Sequence, residues 1–142
     1  YWLTCYQRPV LSLDVDIIVK GGLDTLVDAA TGNDLALNLR EPIDSPWLDI
    51  VANIIVANPT VAARRYLTAV GNYVQRCLGR ERQAWLVDQA ALFCVLKMMT
   101  RFAQPPAVAW IPQTQQGCLW HIGHAYDHLL SDPRFRKYAA GA

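Results

Sequence analysis

Leu11-Ser12-Leu13-Asp14-Val15-Asp16-Ile17-Ile18-Val19 decides the reading of this chain, because an apolar run passes directly into two carboxylates two residues apart. Val10 to Asp14 reads as a buried strand entered after Pro9, and Ile17 to Val19 continues extended until Gly21-Gly22 breaks it. On extended chain the side chains at i and i+2 project to one side, so Asp14 and Asp16 can converge on a single hard cation. Oxygen ligands of this kind suit Mg²⁺ or Mn²⁺, and such an ion would bridge to the diphosphate oxygens of a donor. Ligand sites of open α/β sheets lie at the carboxyl ends of strands, which is where this pair falls. A bare Asp-x-Asp also caps turns. The strand before it and the two glycines after it favour the metal reading.

Moving outward, Leu23 to Ala30 carries a helical pattern with Leu23, Leu26, Val27 and Ala30 on one face. Thr31-Gly32-Asn33 is a turn, and Asp34 to Arg40 alternates as a half-buried strand should. A loop with two prolines covers Glu41 to Pro46, and Ile54-Ile55-Val56-Ala57 is an apolar strand. Pro59-Thr60 opens an amphipathic helix to Leu78, with Tyr66, Leu67, Val70, Tyr73, Val74, Cys77 and Leu78 at three- and four-residue spacing and Gly79 at the expected cap. A second helix from Trp85 to Phe102 is apolar nearly all round and is expected to be deeply buried. Upstream, Tyr1 to Gln7 reads as the tail of a helix, and no signal peptide is expected there. Downstream come short strands at Ala107 to Ile111 and Gly117 to His121, then a short helix near Asp132 to Tyr138. Strands alternating with helices predict an α/β domain with a mainly parallel sheet flanked by helices, Val10 to Leu13 being an inner strand. Without an internal repeat or linker, residues 1–142 read as one domain.

Composition narrows the function classes. With 142 residues, 53% hydrophobic and 18% charged, the chain can bury a sizeable core. A net charge of +1 without a basic run argues against nucleic acid as a partner. No uninterrupted apolar run reaches the roughly 18–20 residues of a transmembrane helix. Cys5, Cys77, Cys94 and Cys118 are widely spaced, without a CxxC pair, and are expected to be free thiols in a reducing, cytoplasmic setting.

Two further clusters carry polar chemistry. Asp88-Gln89 lies near the start of an otherwise apolar helix; a carboxylate there either caps the first turn or serves a ligand. His121 ends a strand two residues before Gly123, where backbone can approach a phosphate closely. His124 and His128 are four apart and could share one side of a helical turn to chelate a metal, Zn²⁺ being the natural ion. A hydrogen-bonded structural histidine is the plainer reading of His128.

Taken in order, these segments resemble the GT-A glycosyltransferases, especially the glycogenin-like and galactosyltransferase-like family. Pro9 to Val19 is similar to that family's DxD strand. Asn53-Ile54-Ile55-Val56-Ala57-Asn58-Pro59-Thr60 is similar to its acceptor-side strand, Asp88-Gln89-Ala90-Ala91-Leu92 to its DQ-containing helix start, and Trp120-His121-Ile122-Gly123 to its late histidine–glycine motif. The resemblance runs over about residues 8 to 125. It implies a GT-A-type fold, with this chain as the C-terminal portion of such a domain and the nucleotide-binding strands upstream. It further implies Asp14 and Asp16 as ligands of Mn²⁺ or Mg²⁺, His121 as a third ligand with His124 as the alternative, and Asn53 and Gly123 near the substrate. Asp88 and Gln89 would contact the transferred sugar or the acceptor. The implied partners are a nucleotide-sugar donor and a sugar or glycan acceptor. Val51-Ala52-Asn53 stands where the family has an Asn-Ala-Gly-like turn, and the family's lysine-proline-tryptophan ending is absent. Two other classes share parts of the pattern: a non-catalytic sugar-binding scaffold, and an aspartate-nucleophile phosphatase with Asp14 as nucleophile and Asp16 as general acid.

Overall fold

Strand β3 (Leu35–Leu39) is the centre of the molecule, with Leu35, Ala36, Leu37 and Asn38 all buried. The computed structural model describes residues 2–39, 49–79, 86–111 and 115–121. Around β3 lies a four-stranded sheet in the order β1-β4-β3-β5, comprising β1 (Val10–Leu13), β4 (Ile50–Ala57) and β5 (Val108–Ile111). A separate two-stranded sheet joins β2 (Ile17–Val19) to β6 (Leu119–His121), antiparallel. The helices are α1 (Trp2–Tyr6), α2 (Asp24–Asp28), α3 (Val61–Leu78) and α4 (Val87–Phe102).

The α/β class agrees with the sequence reading; the expected direction of the sheet does not. The sheet is mixed: β1/β4 and β3/β4 pair antiparallel and only β3/β5 pair parallel. The reason is the length of one link. Residues 40–49 connect β3 to β4, fewer than the roughly dozen a parallel crossover needs, so the strands become antiparallel neighbours. Strand β1 is an edge strand rather than an inner one. It pairs with β4 from Val10↔Ala57 to Leu13↔Ile54, and none of its four residues is fully buried. Thus β1, β3 and β5 run in one direction and β4 alone is reversed.

Alternation along β3 and β4 divides the core in two. Leu35, Leu37, Ile50 and Ala57 pack with Ala63, Tyr66, Leu92 and Val95 of α3 and α4. Ala36, Ile54, Val56 and Ile111 pack with Leu26, Ala30 and Leu119 on the opposite face, under α2 and the β2–β6 pair. Each fully buried leucine or isoleucine contributes roughly 1.5–3 kcal/mol. Two such layers hold β3 on both faces, so the expected half-buried strand is a buried one. Its alternation is between two interiors, not between core and water.

Local chemistry fixes the element ends. Gln7 leaves α1 with φ +50, its side-chain amide donating to the Thr4 carbonyl at 2.9 Å. The turn after α2 contains Gly32 at φ +74, a conformation that favours glycine. Asn58 ties that turn to the end of β4 by donating to the carbonyls of Ala30 and Asn33, both at 2.7 Å. Thr60 caps α3, its hydroxyl accepting from the Ala63 N–H at 3.1 Å. Gly79 ends the helix with φ −73, so it caps without the left-handed turn its identity would permit. The expectation of a deeply buried second helix fails on one side. Gln89, Ala91, Leu92 and Val95 of α4 are buried, whereas Met98 and Phe102 stand 57% and 76% exposed. They border a groove of about 620 Å³ between α3 and α4, also lined by Ala69, Tyr73 and Cys77. The expected loop at 41–46 and the helix near 132–138 lie outside the described residues, within which no helix is long and apolar enough to cross a membrane.

Tyr66 joins the two large helices from within the core. It is fully buried and donates its hydroxyl to the Leu92 carbonyl at 2.7 Å. Burial pushes the phenol pKa well above its ordinary 10.0. Tyr66→Phe should lower unfolding free energy by about 1 kcal/mol in urea denaturation. Since the folded value is the raised one, the hydroxyl's contribution is complete below pH 10 and is lost as pH climbs above it. Wild type should therefore lose stability above about pH 10 more steeply than Tyr66→Phe.

Candidate functional site

Asp14-Val15-Asp16 is the turn by which the chain leaves the large sheet for the small one, not the extended chain on which the two carboxylates were expected to project to one side. One last bond carries the β1–β4 register a step past Leu13, where Asp14 donates its N–H to the Asn53 carbonyl at 2.9 Å before the chain turns away. Three residues on, the Ile17 N–H returns to the Asp14 carbonyl at 3.2 Å and closes the turn. Asp14 Oδ1 accepts the Val15 N–H at 2.8 Å, which orients the carboxylate and leaves its second oxygen directed elsewhere. Asp14 is exposed, Asp16 half-buried, and Val15 between them 96% exposed.

Opposite the turn, β4 is irregular. Leu37 pairs with Ile55 but Asn38 pairs with Val51, so Ala52, Asn53 and Ile54 face a single step of β3. Bulges of this kind re-aim side chains and end regular pairing. Asn53 lies in this bulge: its backbone carbonyl stays in the regular β1–β4 register and accepts from Asp14, while its side-chain oxygen accepts from Asn38 Nδ2 at 2.6 Å. Asn38 Oδ1 in turn accepts from Gln116 Nε2 at 2.7 Å. Asn38 and Gln116 are 4% and 7% exposed. They are polar residues inside a core, and the bonds between them satisfy groups that burial would otherwise penalise.

The structure brings some of the expected residues together. Asp14, Asp16 and Asn53 meet around the turn, and His121 pairs with Ile17, one residue beyond Asp16, across the small sheet. Only the backbone of His121 is placed here; its side chain, and the whole of Gly123, His124 and His128, lie outside the described residues. Because β1, β3 and β5 run together, the turn sits at the carboxyl end of their shared direction, as the sequence reading expected.

Asp88 and Gln89 belong to another layer, in the first turn of α4. Arg65, near the start of α3, donates to the Gln104 carbonyl just past the end of α4, so the two helices lie antiparallel. Within the first turn of α4 the neighbours have opposite surroundings. Asp88 is exposed, and its Oδ1 accepts the Gln89 N–H at 2.8 Å, a capping bond that Leu86 cannot supply. Gln89 is 7% exposed and its Oε1 has no hydrogen-bond partner among the described residues.

Oxygen donors fit a hard divalent ion, and Mg²⁺ commonly uses one or two carboxylates with substrate phosphates completing its shell. Asp14 and Asp16 put two carboxylates at the turn, one exposed and one half-buried. No group of three or more metal-ligating side chains forms among the described residues. Asn38 and Gln116 were missed by sequence reasoning. The available signal was an amide in the middle of Leu35-Ala36-Leu37-Asn38-Leu39, a position that burial on both faces makes costly. The chain matches no protein-family model, no curated protein and no solved structure.

The orphaned oxygen of Gln89 gives a direct test. Gln89→Met keeps the length and removes the unpaired acceptor, so it should raise unfolding free energy by about 1 kcal/mol. Asp88→Ala should lower it by roughly 0.5–1 kcal/mol through loss of the first-turn acceptor. Chemical denaturation of the two variants against wild type measures both signs.

Proposed function

We propose that this chain is the metal- and acceptor-side portion of a GT-A-type glycosyltransferase domain, moving a sugar from a nucleotide-diphosphate sugar to a sugar or glycan acceptor. The observation that carries the reading is the acidic turn. Two aspartates stand at the carboxyl end of three codirectional strands, and the backbone N–H of the first bonds to the Asn53 carbonyl in the strand that resembles the acceptor-side strand. Asp14 and Asp16 would hold Mn²⁺ or Mg²⁺, with His121 or His124 as a third ligand. Such an ion, when bound, supplies charge neutralisation for the leaving nucleoside diphosphate.

The chain's own residues have narrower tasks. The Val15 N–H fixes one oxygen of Asp14 and so presets the direction of the other. Gln89 offers a buried acceptor lacking a donor, and a hydroxyl of the transferred sugar or of the acceptor would complete it. Asn53 would contact the substrate beside the turn, and the resemblance gives Gly123 the same role. Asp88, already used within its own helix turn, supports a second reading in which the domain binds sugar without catalysing transfer. A phosphatase with Asp14 as nucleophile is the remaining alternative. The four free cysteines support a reducing, cytoplasmic compartment for any of these.

A thermal-shift titration with Mn²⁺, with and without a nucleoside diphosphate, tests the proposal on the chain in its natural length. At about 100 times the dissociation constant, binding to the folded state alone should stabilise it by about 2.7 kcal/mol. Asp16→Asn should abolish the shift while leaving the unliganded melting temperature nearly unchanged. An equal shift in the variant, or no shift in wild type, removes the acidic turn from the reading.

A further inference from the structure

We infer that Asn38 is a positioning residue that sets the geometry of the acidic turn through a closed circuit of hydrogen bonds, and that the circuit couples the turn to the segment before β6. The circuit can be followed bond by bond. Gln116 donates to Asn38, Asn38 donates to Asn53, and the Asn53 carbonyl receives the Asp14 N–H. From Asp14 the turn passes into β2, which pairs with β6 at Ile17↔His121, Ile18↔Trp120 and Val19↔Leu119. The circuit closes where the Leu119 N–H donates to the Gln116 carbonyl at 2.8 Å. A further bond, from the Lys20 N–H to the Cys118 carbonyl at 2.7 Å, reinforces the same closure.

The two sheets of the molecule meet at this circuit. The turn crosses from one sheet to the other, and each end needs a fixed reference. Asn53 supplies it on the large sheet and β6 on the small one. Asn38 connects the two references, using its carboxamide as donor on one side and acceptor on the other. An aspartate at this position has no donor, and a leucine has neither group. Since the amides are buried, water is a poor substitute for either bond. A displacement of residues 116–119 must therefore move Asn38, Asn53 and the backbone of Asp14 with it, or break a buried bond.

The test combines amide hydrogen exchange with Mn²⁺ binding; only the second measurement rests on the proposed function. Asn38→Leu should lose at least tenfold protection at Asp14, Ile17 and Lys20 relative to Ala36 and Val56. Tyr66→Phe breaks one buried hydrogen bond in the opposite layer and should leave that ratio unchanged. Gln116→Met, which cuts the circuit at its outer link, should show the same pattern and serves if Asn38→Leu does not fold. Uniform loss of protection in the circuit variants, or loss confined to β3, overturns the inference. If wild type binds Mn²⁺, Asn38→Leu and Gln116→Met should each weaken it about tenfold while Tyr66→Phe does not. Unchanged affinity in both circuit variants also overturns it. If wild type binds no Mn²⁺, the metal reading falls and the exchange pattern alone decides the circuit.

Discussion

A carboxamide in a strand covered on both faces must find its hydrogen bonds inside the protein. Asn38 is that residue, and most of the architecture on one side of the sheet can be understood from how its demand is met. One bond requires a side-chain oxygen on β4 at a height that regular pairing would not provide, and the bulge at Ala52 to Ile54 provides it. The other requires a donor arriving from beyond β5, which fixes where Gln116 lies and hence where β6 begins. Strand β6 then has β2 as its partner. An apolar residue at position 38 would remove both requirements and leave the small sheet attached to the large one mainly through Leu119, Ile17 and their apolar neighbours.

This arrangement separates two kinds of interior. Under α3 and α4 the described core is an apolar cluster into which Tyr66 brings a hydroxyl paired within its layer. Under α2 and the small sheet an apolar cluster grades into a row of amides toward the acidic turn. Apolar packing is tolerant of direction, whereas hydrogen-bonded amides are not. The layer with the amides is therefore the one that specifies geometry at the turn. The layer with the helices supplies burial.

Local features were legible in the sequence and distant ones were not. The strand before Asp14 and the amphipathic stripe of α3 are each set by residues within a few positions, and the structure keeps both; the aspartate pair, expected on extended chain, falls in a turn because the chain there changes sheets. The direction of the sheet was misread because strand–helix alternation implied crossovers, while the decisive fact was the shortness of residues 40–49. The helix at 87–102 was misread because apolar residues surround it, leaving no stripe to show which face is covered; the burial of Gln89 and exposure of Asp88 come from a phase that composition hides. Gln116 and Asn38 are 78 positions apart. Their contact depends on β5 and β6 being correctly placed, so no spacing rule could have found it.

The one parallel pairing among the described strands sets the order in which the chain can assemble. Strands β3 and β4 are neighbours along the sequence, and their contact closes a short loop. The β3–β5 contact joins positions as far apart as the 73 residues between Asp34 and Ala107, whose N–H meets the Asp34 carboxylate at 2.7 Å. Loop-closure entropy makes that second closure costlier by about 2 kcal/mol, and both large helices must be accommodated before it is rewarded. A nascent chain would therefore form the antiparallel centre first and hold Asn38 with one of its two bonds unmade until the last strands arrive. The acidic turn would acquire its final shape only at the end of folding, as a late product of the most distant contacts in the chain.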